Sequence, residues 1–341
     1  MKSLLQTISV SPLHSPPSYV KLLPRLEWKV ESESHINSMN NLLYPQHKND
    51  NNIKSRSHAV SEHPIYNFLH NYYRYSVLEL KLYSPGIGYG LEDVQSTDLC
   101  NLHRHMIQFD NTQTYSLLPT IDLEPNKRYG VSAVTRTRDI LDLTCKRSPH
   151  FACFGLHEWA MLYSNNDPTT RHQSKLKLRV SQSTIDNTVE QTPLSCTHFD
   201  AWRFFQPSAQ PLNALNPLSR SSQLEHEQPG CIHATMDLFR YAYELYPFTS
   251  SSLLRTCLEI AVIARKIDMR ASPYDVSEVE GCEDSICIET AEGKIQYIHE
   301  QEALYRLSYP VRTELLEVYN TYLSCLEKPS DYYKNINNDI T

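Results

Sequence analysis

A chain that makes many tight left-handed turns needs glycine, the residue that adopts positive φ without steric cost. This chain has only 8 glycines in 341 residues, against 20 prolines and 22 tyrosines. That scarcity argues against propellers and glycine-rich nucleotide-binding sheets. An architecture of helices punctuated by proline is left.

Hydrophobic spacing says where those helices lie. Leu26, Val30, Ile36, Met39, Leu42 and Leu43 recur at helical intervals and predict a first helix. Pro64 suits the first turn of a second helix over 62–75. Further helices are expected over 126–145, over 150–163 after Pro149, and over 230–246 after Pro229. The clearest covers 249–270: Thr249 or Ser250 can cap it, Leu253, Leu254, Leu258, Ala261, Val262 and Ile263 supply its apolar face, and Pro273 follows it. Two final helices are predicted over 295–307 and 311–326. Weak alternation over 175–180 suggests a strand, and 285–293 reads as a short hairpin. The cluster Gly86-Ile87-Gly88-Tyr89-Gly90 is a turn that lacks phosphate-loop spacing. The polar stretch 46–61 reads as a connector. The expected fold is mainly α, a single helical domain over 22–328 with a few short strands or a hairpin. Residues 1–21 form an N-terminal arm and 329–341 a tail.

Apolar residues make up 40% and charged residues 21%, an ordinary globular balance. The formal net charge is −7, so the basic surface of a protein dedicated to phosphate backbones is not evident overall. Nine cysteines, an odd number without scaffold spacing, predict free thiols in a reducing compartment. With no apolar run long enough to span a bilayer, a cytoplasmic protein without membrane partners is expected.

Chemistry-bearing residues gather in separated segments. The first holds His150, Cys153, His157, Glu158 and Trp159. On a helix, His150 and His157 would lie two turns, about 10 Å, apart, too far for one metal ion to join them unaided. Glu158 could orient His157 or act as a base. Cys153 with His157 could form a thiol–imidazole pair, or make an ordinary packing contact. The second segment holds Cys196, His198, Asp200, Trp202 and Arg203. The third holds Cys231, His233 and Asp237, with His233, Asp237, Arg240 and Glu244 on one helical stripe. The plain reading of that stripe is a solvated face with charges paired at i,i+3 and i,i+4. A functional reading gives an imidazole and a carboxylate one turn apart, as acid–base chemistry requires. Both Cys-x-His pairs are weak zinc signals, because no Cys-x-x-Cys accompanies them. A fourth segment runs from Arg265 through Asp268 and Arg270 to Tyr274. Arg270 is explained by its helix C-terminus, or could hold a substrate anion.

Five strings, HPIYNFLHNYY (63–73), HFACFGLHEWAM (150–161), CTHFDAWRFF (196–205), QPGCIHATMDL (228–238) and DMRASPYD (268–275), resemble a bacterial family known as 3-methyladenine DNA glycosylases. The resemblance runs from about Leu26 to Leu326. It implies a DNA-repair N-glycosylase acting on damaged DNA, with Glu158, Asp200 or Asp237 as the catalytic carboxylate. Trp159, Trp202 and Tyr274 would stack the base, and Arg270 would contact substrate. The chain departs from characterised helical alkylation glycosylases in lacking a glycine-rich hairpin before a catalytic aspartate. Two alternatives stand beside this reading. One is a metal-dependent enzyme on a small molecule, with His157, His198, His233 and Asp237 holding a divalent ion. The other is a non-catalytic ligand-binding protein. All three require the His-bearing segments to converge.

Overall fold

The computed structural model describes residues 20–43, 63–109, 112–117, 119, 128–164 and 176–327. Among them are eleven α-helices and one four-stranded sheet, a mainly helical single domain. The helices are α1 (Arg25–Leu43), α2 (Pro64–Tyr73), α3 (Val77–Lys81), α4 (Val131–Lys146), α5 (Leu156–Ala160), α6 (Gln182–Gln191), α7 (Phe199–Trp202), α8 (Gln223–His226), α9 (Ile232–Glu244), α10 (Ser251–Arg270) and α11 (Ala291–Glu327). The strands are β1 (Lys21–Leu23), β2 (Tyr89–Leu91), β3 (Met106–Gln108) and β4 (Tyr115–Leu117). Lys21, assigned to the arm, thus begins the ordered sheet. The assigned connector and tail lie outside the described residues. No helix among the described residues is long and apolar enough to cross a membrane, and all nine cysteines are free.

The predicted cap on α10 is Ser250, whose side chain accepts from Leu253 N. Leu254, Cys257, Leu258, Ala261 and Ala264 are completely buried along this helix, which packs against α9, α11, α1 and α2. It is the axis of the core. The sheet lies to one side in the order β1-β2-β4-β3, with β1 parallel to β2 and the other pairs antiparallel. Gly86, at φ +88°, makes the turn before β2, and a Cβ there would fall 2.9 Å from Ser250 N. The glycine turn thus seats the sheet against the start of α10.

Four local expectations are corrected. The predicted helix over 150–163 is only α5, because Phe154 and Gly155 both take positive φ (47° and 67°) and break any earlier helical path. His150 and Cys153 therefore do not share a helical stripe with His157. The two final helices are one, since α11 runs through Pro310. Pro310 and Arg306 are both exposed, so the carbonyl that proline leaves unpaired can turn to water. The hairpin over 285–293 is absent. Thr290 Oγ1 accepts from Gly293 N at the start of α11, and a Cβ at Gly293 would meet Cys287 O at 1.9 Å. That glycine marks a close backbone approach, not a turn. Finally, the described part of 175–180 contains only an isolated bridge, Leu178 to Tyr274.

Candidate active site

The three His-bearing segments do converge. The ring centroids of His157 and His233 are 4.5 Å apart, edge to face, and those of His198 and His233 are 5.3 Å apart, stacked. Each comes from a different element: His157 from the first turn of α5, His198 from the cap of α7, and His233 from the first turn of α9. All three are buried.

The plain reading of the α9 stripe is overturned at its centre. His233 and Asp237 face inward, Asp237 without exposed surface, and Arg240 Nη2 donates to Asp237 Oδ2 at 2.6 Å. A buried aspartate needs such partners, since an unpaired charge in a low dielectric is costly. His198 Nε2 shares Asp237 Oδ2 at 3.2 Å. Arg240 also reaches Asp200 Oδ2 at 3.5 Å, and Asp200 Oδ1 takes Arg203 at 3.0 Å and Arg220 at 3.2 Å.

A matching set surrounds His157. Its Nε2 lies 2.8 Å from Asp268 Oδ1. Arg265 binds Asp268 Oδ2 and, at 2.8 Å, Glu158 Oε1. His157 Nε2 and Asp268 Oδ1 are thus each other's partner, a buried ion pair away from ideal hydrogen-bond geometry. With a ring nitrogen of His233 they form a group whose ligand atoms all lie within 4.8 Å of one another. Two imidazoles and a carboxylate at that spacing suit a divalent transition metal with open coordination positions.

This trio differs from the four ligands expected from sequence. His157 and His233 are in it. His198 and Asp237 are paired with each other beside it, and Asp268 takes the carboxylate place. Asp268 carried its own signal, a negative charge in the last turn of α10, where the helix dipole disfavours one.

The charges sort accordingly. Burial alone would lower His157 and His198, but Asp268 and Asp237 respectively raise both above the ordinary histidine value. His233 is pushed well below that value by burial and by the neighbouring His157. Burial opposes ionisation of Asp237 and Asp268, yet Arg240 and His198 hold the first low, and His157 and Arg265 the second.

A small cavity touches the cluster, lined by Cys153, His157, Ser195, Cys196, Cys231 and His233 among others. It leaves about 10 Å³ for the centre of a water-sized solute, the room one water needs. Burial raises all three thiols, Cys196 up to about 12, so none is the thiolate that nucleophilic catalysis requires. Cys153 is instead in contact with Tyr297 and Gln301.

Other candidate residues stand apart. Trp159 is fully buried, donates to Ala271 O at 2.8 Å and lies beneath Arg179, so its faces are not open to a base. Arg270, in the same last turn of α10 as Asp268, is taken up by Asp284 O and Glu300. Tyr274 is 8% exposed and within electrostatic reach of Glu158 and Arg265. Trp202 is also 8% exposed, and its indole N–H has no partner. No protein-family model matches the chain, and no curated protein or solved structure is significantly similar to it.

Proposed function

We propose that this chain is a metal-dependent enzyme acting on a small molecule, with His157, His233 and Asp268 as ligands of one divalent ion. The observation that carries the reading is the buried cluster of His157, His233 and Asp268, whose ligand atoms all lie within 4.8 Å of one another. Such an ion supplies a Lewis acid and lowers the pKa of a bound water.

The chain's own residues divide the remaining work. Arg265 fixes Asp268 through its other oxygen while Oδ1 faces His157 Nε2, the kind of outer support that orients metal ligands. Asp237 and Arg240 hold the His198 ring against His233. His198 is thereby placed to accept or return a proton next to the ion. The cavity beneath His157 and His233 gives a water-sized reactant a place.

The N-glycosylase reading that the sequence resemblance implies draws less support. Trp159 is enclosed, and Asp200 and Asp237 are both neutralised by arginines. The test is metal content: wild-type protein should retain about one equivalent of a divalent ion, and Asp268→Asn and His233→Gln should lose it while remaining folded.

A further inference from the structure

Resting on the metal-dependent reading, we infer that the ion is ferrous iron and that the cavity against it binds dioxygen. Two histidines and one carboxylate on a single ion are the ligand set of non-haem iron sites that keep coordination positions open for small molecules. The same three ligands also suit zinc, so the cavity has to separate the two.

Its place and size come first. The cavity is lined by His157 and His233 but not by Asp268, so it lies on the imidazole side of the cluster. It holds about one water. A zinc hydrolase brings both a water and the group to be cleaved to its ion, and this space does not take an ester, amide or phosphate. A diatomic molecule needs little more room than a water. Ser195, Cys196 and Thr197, on one wall, are only half-buried, which makes that wall the side nearest solvent.

The lining selects further. Leu156, Leu194, Phe205 and Ile232 give it apolar surface. Its polar side chains are mostly committed to the protein. Ser195 Oγ donates to Ala152 O at 2.8 Å. Gln228 Oε1 accepts from His150 N at 2.8 Å and Gly230 N at 2.7 Å, and its Nε2 donates to His150 O at 3.0 Å. Cys196 Sγ donates to His198 O at 3.5 Å, and Cys153 Sγ accepts from Gln301 Nε2 at 3.4 Å. Beyond the two imidazoles, Thr197 brings the remaining hydroxyl. A trapped water needs about two to four polar partners, and a wall this poor in them favours a neutral, weakly polar guest. Burial keeps the Cys153, Cys196 and Cys231 thiols protonated, and protonated, enclosed thiols are slow to oxidise beside such a guest.

The experiment strips the full chain of metal, offers it ferrous iron or zinc without air, and measures the metal bound. The iron-loaded protein is then titrated with nitric oxide, a diatomic probe of a dioxygen position, and followed by electron paramagnetic resonance. About one equivalent of iron is expected, with an iron–nitrosyl signal that saturates at one per iron. Cys231→Leu and, separately, Cys196→Met fill the cavity without removing a ligand of the ion. Either variant, once shown to fold by circular dichroism, should keep its iron and bind nitric oxide about tenfold more weakly or worse. Iron bound by wild type without a nitrosyl signal overturns the dioxygen site and leaves the metal centre standing. So does a signal undiminished in a folded filling variant, or a chain that takes zinc but refuses iron. A chain that takes neither ion fails the metal reading itself, before any gas is added.

Discussion

Arg240 and Arg265 occupy corresponding places: each grips the aspartate three residues away on its own helix and a second carboxylate from the segment that supplies the adjacent histidine. For Arg240 these are Asp237 and Asp200, beside His198. For Arg265 they are Asp268 and Glu158, beside His157. His233 lies between the two sets. Two buried ion networks on different helices thus fix the geometry of one histidine cluster.

Removing either arginine should therefore be costly. Arg265→Met keeps much of the apolar stem but leaves Asp268 and Glu158 buried without a cation. Breaking a buried pair in this way typically costs about 3–5 kcal/mol. Urea denaturation should show a loss of that order, whereas Arg203→Met, at a 44% exposed side chain, should cost no more than about 1 kcal/mol.

Much of the helical scaffold was legible because local rules and burial agree in it. Ser250 caps α10, Pro64 opens α2, and the apolar run from Leu253 to Ile263 describes a core helix, although Ile263 itself is 40% exposed. The rules failed where tertiary contact overrode them. Pro310 does not end α11: the helix is exposed at that point, so solvent can reach the carbonyl the proline frees. Gly293 is a glycine because Cys287 O crowds it, which no local pattern reveals. In the site, residue type singled out His157, His198 and His233, but spacing could not say which carboxylate meets which imidazole. The polar stripe of α9 looked solvated, and only the fold shows α7 and α2 covering it.

Cys257 is fully buried, as its place on the apolar side of α10 predicts. Burial pushes its thiol far above the ordinary cysteine range, so it packs as a small hydrophobe. Cys257→Ala should cost on the order of 1 kcal/mol by chemical denaturation and leave metal content unchanged. Cys231, by contrast, lines the cavity. Cys231→Ala should enlarge that space and still leave metal retention intact; loss of the metal would make Cys231 a ligand.

Acid should destabilise the fold in two stages. His35 is lowered from 6.5 to about 4, chiefly by burial, with the Leu80 carbonyl pulling the other way. Below pH 6.5 the unfolded chain takes up a proton that the folded imidazole refuses, so stability falls as pH drops toward 4. Over the interval from pH 6.5 to 5 this amounts to about 2 kcal/mol. Glu79 is also buried, which opposes ionisation, yet His103, Tyr243 and Arg128 hold it at about 2 against 4.5. Its contribution is present above pH 4.5 and is lost below it. Urea midpoints measured from pH 7 to 4 should fall, and His35→Gln should flatten the slope above pH 5 by about one proton. An unchanged slope would mean that His35 titrates normally.

Duplex DNA is expected to bind weakly. Arg203, Arg240, Arg265 and Arg270 are each engaged with a carboxylate, so they have less charge to offer phosphates, and salt-dependent affinity requires several such neutralisations. Titration of duplex containing a stable abasic-site mimic, at low and moderate salt, should show binding no tighter than to undamaged duplex, and Asp237→Asn should not change the preference. Tight, lesion-selective binding that is lost on Arg270→Ala would support the glycosylase reading instead.

The most direct measurement is elemental analysis of the purified full chain, with Asp268→Asn and His198→Gln in parallel and folding checked by circular dichroism. If His157, His233 and Asp268 hold an ion, wild type carries about one equivalent of a divalent transition metal, Asp268→Asn loses it, and His198→Gln keeps it. A wild-type chain that is metal-free after gentle purification, and takes up neither zinc nor ferrous iron on titration, would contradict the metal centre.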